Sequence, residues 1–270
     1  MKKVLYLFCA LALLASIFAC SHNLNEEDSI LLQLDTKASF SETLIDSTHF
    51  IKISNHDNPF EIIGTMHNEL MDSIRINQIT IDSLNNFVYR YAIRKGVISN
   101  STFDKKLYNG TFSRMQNLNH NIFNNQLNQD SLMRQLPISS QRYVITLENF
   151  LENDDIDQEF VDSWFSDFHC QINKDAYLND TEKYFLLAAS AIASATYKAN
   201  KSEGKVSSNR ADKVVKADFW GGVGGFIVGA ISGKYAAATY VFGPNGLVVS
   251  IAGDVFLGAT VSSGIAVVVN

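Results

Sequence analysis

Between residues 58 and 199 apolar side chains recur three or four positions apart, the spacing of helices with one buried face. In NPFEIIGTMHNELMDSI, Phe60, Ile63, Met66, Leu70 and Ile74 share a face. Asn58 stands as N-cap and Pro59 at the first helical position, where its missing N–H costs nothing. His67 flanks that face and is expected to be half-buried. TIDSLNNFVYRYAIRKG repeats the pattern with Ile81, Leu84, Val88 and Tyr91. Thr80 caps it, Asp82 sits at its positive end, and Arg90, Arg94 and Lys95 gather at its negative end before Gly96. Residues 101–136 are rich in Asn and Gln but keep Phe112, Met115, Leu118, Ile122, Leu127, Leu132 and Leu136, which predicts one or two helices. SSQRYVITLENFLEN and DDIDQEFVDSWFSDFHCQIN predict two more. The clearest is NDTEKYFLLAASAIASATYKAN, capped by Asp180 or Thr181, with Ala188, Ala191 and Ala195 permitting close helix contact. The expected fold class is all-α, a helical bundle over residues 58–199.

The pattern changes after a polar stretch, NKSEGKVSSNR, which places a linker at 200–216. Eleven of the fifteen glycines lie in residues 217–270, and their spacing is regular. Gly221, Gly225, Gly229 and Gly233 recur every four residues, and Ala237 extends the line. After GPNG the spacing returns as Gly246, Ser250, Asp254, Gly258, Ser262 and Ala266. Small residues four apart form one ridge of a helix, against which another backbone can pack closely. This resembles a glycine zipper, the pattern of envelope proteins with a two-helix hydrophobic hairpin and of some pore-forming bacteriocin peptides. The expectation is a helical hairpin over 217–270, turning near Pro244. A strand reading of LVVSIAGDVF is disfavoured because a central strand tolerates this many glycines badly. Lys234 and Asp254 stand ten residues either side of that turn, so an antiparallel pair brings them level as an ion pair.

The N-terminus has a different logic. MKK precedes an apolar run of 16, VLYLFCALALLASIFA, shorter than a membrane span and suited to a signal sequence over 1–19. The run ends Ile17-Phe18-Ala19-Cys20, which resembles the lipobox of bacterial lipoproteins. That resemblance implies a diacylglyceryl group on Cys20, and Ser21 after it implies sorting to the outer membrane. Residues 20–57 then read as a lipidated tether and extended arm, with the acidic NEED suited either to surface export or to a solvated tether. The arrangement resembles that of uncharacterised lipoproteins of Bacteroidota-type bacteria.

Charge and chemistry narrow the function classes. The net charge of −6, falling to −8 when Lys2 and Lys3 leave with the signal, argues against nucleic acid. Glycines near Lys234 do not make a phosphate loop. Val228 stands where the first glycine belongs and Tyr235 where Ser or Thr must bind magnesium, so no nucleotide is expected. NDDIDQEF lacks the Gly and Glu of a calcium loop and reads as acids at a helix start. His67-Asn68-Glu69 has no P-C-x-x-C partner for zinc. His169 and Cys170 are adjacent, so on a helix they point about 100° apart and form no dyad. Cys170 is left alone once Cys9 and Cys20 are accounted for, and its aromatic surroundings predict a buried thiol. No catalytic constellation, cofactor or metal is implied.

Membrane association of the tail is finely balanced. Phe219 to Val241 is 23 residues, or ~35 Å of helix against ~30 Å of hydrocarbon. Its seven Val, Ile and Phe residues contribute roughly −0.3 to −0.6 kcal/mol each, and Lys234 costs about 2.5 to 3.5 kcal/mol. Such a segment escapes the translocon, and then either inserts later or packs on itself and on the bundle. The expected function is that of an outer-membrane lipoprotein acting by helix-mediated membrane association or self-association of its tail. The alternative is a cell-surface adhesion module with the bundle as receptor surface.

Overall fold

The computed structural model describes residues 58–95, 108–110, 112–114, 116–117, 129–152, 158–202 and 209–269. Of these, 88% are helical and none lies in a strand, so the protein is all-α over the described residues. Cys20 and the expected signal and tether over residues 1–57 lie outside them.

Helix α1 spans Glu61–Ile76 and buries Ile63, Met66, Leu70 and Ile74. It begins two residues later than Pro59 suggests. Asn58 accepts the Phe60 N–H (2.9 Å) and donates to the Leu187 carbonyl (2.9 Å), so it pins the helix start to a distant helix. Helix α2, Ile81–Arg94, buries Leu84, Val88 and Tyr91, and Ser83 Oγ accepts the Thr80 N–H at 3.1 Å. Of residues 101–136, Tyr108 and Phe112 are buried in short helical turns, and α3 covers Gln129–Met133. Helices α4 (Ile138–Leu151) and α5 (Gln158–Lys174) meet through aromatic rings, Phe150 stacked on Trp164 (3.7 Å) and Tyr143 edge-on to Phe168 (5.8 Å). Cys170 is half-buried rather than enclosed, because it flanks the Phe165 and Phe168 face instead of lying on it.

Helix α6, Asp180–Ser202, is the axis of the fold and packs against α1, α4, α5 and the two helices that follow. Phe185 to Ala189 and Ala191 to Ala193 are all buried, the pattern of a helix covered on every side. Its cap is Asn179 rather than Asp180 or Thr181. Asn179 Oδ1 accepts the Glu182 N–H and Glu182 Oε2 accepts the Asn179 N–H, each at 3.0 Å, a reciprocal capping box. Gly64 faces Ala191 and Ala195, and a Cβ there would stand 2.8 Å from the Ala195 methyl.

Helix α7 runs Asn209–Ile231 and α8 runs Lys234–Val269 with a break at Gly243. Residues 209–216 are therefore helical, not linker. The hairpin also turns in two places instead of one. Gly233 (φ +70°) makes the first turn, and Gly243 (φ +66°) before Pro244 makes the second. Both glycines hold left-handed backbone that side chains resist. The first arm thus ends at Ile231, and a short helical segment from Lys234 connects it to the second arm after Pro244. The arms pack on one another and against α1 and α6.

Candidate functional site

The hairpin seam is built from missing side chains. Gly221 lies against Ser262 and the Gly258 carbonyl, Gly225 against the Asp254 carbonyl and Gly258, and Gly229 against the Asp254 side chain. The pairing steps by four along both arms in opposite directions, as antiparallel ridges require. A Cβ on Gly258 would reach 2.8 Å from the Gly225 Cα, closer than carbon atoms approach without overlap. Gly246 is buried just after the second turn. Gly233 stands apart from the other glycines of the line. It is exposed, meets nothing across the seam, and serves the turn.

Lys234 and Asp254 are brought together, Nζ to Oδ1 at 2.7 Å, with Asp254 almost wholly buried. Gly229 provides the room. A side chain there would collide with both Asp254 Oδ2 and the Tyr235 hydroxyl. Tyr235 donates to the Phe226 carbonyl at 3.2 Å. Burial, then the neighbouring carboxylate, pushes its phenol well above the ordinary value. Pairing offsets part of the cost of an otherwise isolated buried charge.

A second polar centre, which no spacing pattern marks, joins the hairpin to the bundle. Asp218 of α7 is fully buried and accepts the Thr196 hydroxyl of α6 at 2.7 Å. The same hydroxyl lies 3.2 Å from Asn68 Oδ1 of α1. His67 Nε2 stands 3.4 Å from Asp218 Oδ1, but neither atom has a partner in hydrogen-bond geometry. His67 is fully buried, not half-buried, because Phe256 of α8 sets its ring edge against the imidazole (6.4 Å between centroids). Burial lowers its pKa to about 4, so at neutral pH the imidazole is uncharged and the contact is not an ion pair. The one sequence signal for this centre is slight: Asp218 is the last acid before the apolar stretch that begins at Phe219.

Other polar groups are structural. Buried His169 contacts Asn58 (3.2 Å) and Ser190 (2.8 Å) through Nε2, tying α5 to α6 and to the start of α1. Glu182 accepts Ser140 Oγ at 3.0 Å and also the Ser139 hydroxyl. Trp220 of α7 donates to Glu148 of α4 at 3.1 Å, and burial raises the Glu148 pKa. An open groove between α4 and α5 is bordered by Arg142, Asp167, Cys170, Lys174 and Asp175, with Arg142 and Asp175 paired. Among the described residues no three His, Cys, Asp or Glu side chains gather to hold a metal ion.

Two stretches are long and apolar enough to cross a membrane, Val214–Ile231 and Gly243–Ala266. They are the two arms of the hairpin, and 72% and 78% of them is buried inside the protein. Comparison with protein-family models, with curated proteins and with solved structures finds no match.

Proposed function

We propose that this protein is an outer-membrane lipoprotein, anchored through Cys20, whose C-terminal hairpin is a stowed membrane-associating or self-associating element. The observation that carries the reading is the burial of both span-length arms beneath α1, α2 and α6. The stowed state is also imperfectly satisfied. Ser250, Thr260 and Ser263 of α8 are buried hydroxyls without hydrogen-bond partners, and His67 Nε2 and Asp218 Oδ1 are likewise unmatched. Each such group costs about 1–3 kcal/mol, and of these His67 Nε2 and Asp218 Oδ1 lie at the surface that would have to part. Two seams therefore differ in kind. Arm against arm is close backbone contact with one unmatched carboxylate oxygen, Asp254 Oδ2, whereas hairpin against bundle sets the unmatched His67 Nε2 and Asp218 Oδ1 face to face.

The test is vesicle partitioning of the chain from residue 20 onward, carrying Cys20→Ser so that no lipid contributes. Flotation with phosphatidylcholine vesicles, with protection of hairpin residues from protease, is the expected result. Protein that stays wholly soluble and monomeric at high vesicle concentration would exclude both forms of the reading. An alternative reading, a surface-binding module, is favoured by the α4–α5 groove, where paired charges border an exposed Tyr177. It requires binding to a surface ligand that Tyr177→Ala abolishes and that hairpin substitutions leave intact.

A further inference from the structure

We infer that the hairpin tip, residues 230–245, is the surface that first contacts a lipid bilayer, and that the bilayer it suits is uncharged. This rests on the proposed function and specifies where association begins. Although the arms are covered, much of the tip is not. Ile231 is 73% exposed and Tyr240 is 92% exposed, Ala236 and Ala237 are exposed between them, and Ala230 and Pro244 are exposed on either side. A soluble surface seldom gathers this much apolar area without a partner.

Three observations identify the partner as lipid. The first is charge. Lys234 is the only charged residue in 230–245, and its ammonium is held by Asp254 at 2.7 Å, which leaves the tip nothing to offer an anionic surface. The second is continuity. Both span-length arms end at this tip, so a tip seated among headgroups has ~27 Å and ~36 Å of apolar helix directly behind it. The third is chemistry. Tyrosine with small apolar neighbours suits the boundary between headgroups and hydrocarbon, where a ring finds apolar surroundings and its hydroxyl finds water. Ile76 and Ile138 are equally exposed but lie at the ends of α1 and α4, with no such helices behind them.

The experiment compares Ile231→Asp/Tyr240→Asp with Ile76→Asp/Ile138→Asp in the chain from residue 20 bearing Cys20→Ser. Far-UV circular dichroism and thermal melts establish that each is folded, as exposed positions allow. Binding to phosphatidylcholine vesicles should fall at least about tenfold for the tip variant and stay at the parent level for the other, with little response to salt. Equal binding by the tip variant and the parent overturns the tip as contact surface while leaving the proposed function standing. Binding by the parent only to anionic vesicles, and lost in salt, overturns the uncharged partner. Failure of the parent to bind any vesicle removes the proposed membrane association itself, and this surface with it.

Discussion

Gly253 and Gly258 lie five residues apart on the same helical segment, and the same substitution should move stability in opposite directions. A Cβ on Gly253 meets nothing within 4 Å. Gly253→Ala therefore gains the helix preference of alanine, roughly 0.5–1 kcal/mol. A Cβ on Gly258 would land on the Gly221 carbonyl and 2.8 Å from the Gly225 Cα. Unstrained carbons sit about 3.5–4.0 Å apart, so the arms must separate by about 1 Å, and a gap of that size forfeits a quarter to a half of the contact energy of the atoms it parts. Overpacking of this kind costs about 1–3 kcal/mol. Set against the same helix gain, Gly258→Ala should be destabilised by about 1–2 kcal/mol, and the two variants should differ by about 2 kcal/mol. Urea unfolding of the chain from residue 20 bearing Cys20→Ser, followed by circular dichroism, measures this as opposite shifts in midpoint at constant slope. Equal midpoints for the two variants would refute the claim that the arms meet backbone to backbone at Gly258.

Three further outcomes are expected. In a double-mutant cycle, Lys234→Met and Asp254→Asn should each destabilise, with a coupling energy of about 1–3 kcal/mol; strictly additive effects would mean that the pair contributes nothing. His67 ordinarily titrates at 6.5 and falls to about 4 on folding. Its contribution is therefore complete above pH 6.5 and lost as pH falls through 6.5 towards 4, about 3 kcal/mol in all. Melting curves from about pH 7.5 to about pH 4 should drop more steeply for the wild type than for His67→Gln, and parallel curves would contradict the neutral buried imidazole. Cys20→Ser should move the protein out of the outer-membrane pellet; a variant that still pellets completely would show that something other than a lipid holds it there.

The helices are legible because one buried face leaves a period of three to four, as in Phe60, Ile63, Met66, Leu70 and Ile74. The seam is legible for the same reason, since Gly221, Gly225 and Gly229 form a ridge whatever they oppose. Lys234 and Asp254 could be matched because distance from a turn sets level in an antiparallel pair. That matching survives the second turn, because the short segment from Lys234 folds back on the second arm at Gly243. Spacing misleads at Gly233, which continues the four-residue line but holds a left-handed turn. Nothing local marks the reach of Asn58 to Leu187 and His169, or of His67 towards Asp218. These partners are brought together by tertiary packing of separate helices, and a period describes only one helix at a time. The caps show a smaller version of the same limit. Asn179 rather than Asp180 or Thr181 begins α6, because Glu182 is also drawn to Ser139 and Ser140 of another helix.

The hairpin leaves the ribosome after every helix it covers. Leu84 packs beside Gly264, His67 against Phe256, and Phe185 stacks on Phe226 at 4.1 Å. A nascent chain halted before residue 209 carries α1, α2 and α6 with those faces bare. Loop closure over such separations is slow, and uncovered apolar faces attract chaperones and proteases in the interval. The cover on α1, α2 and α6 is thus supplied by the last helices of the chain, and a chain shortened ahead of α7 is not a smaller version of this protein but an unfinished one.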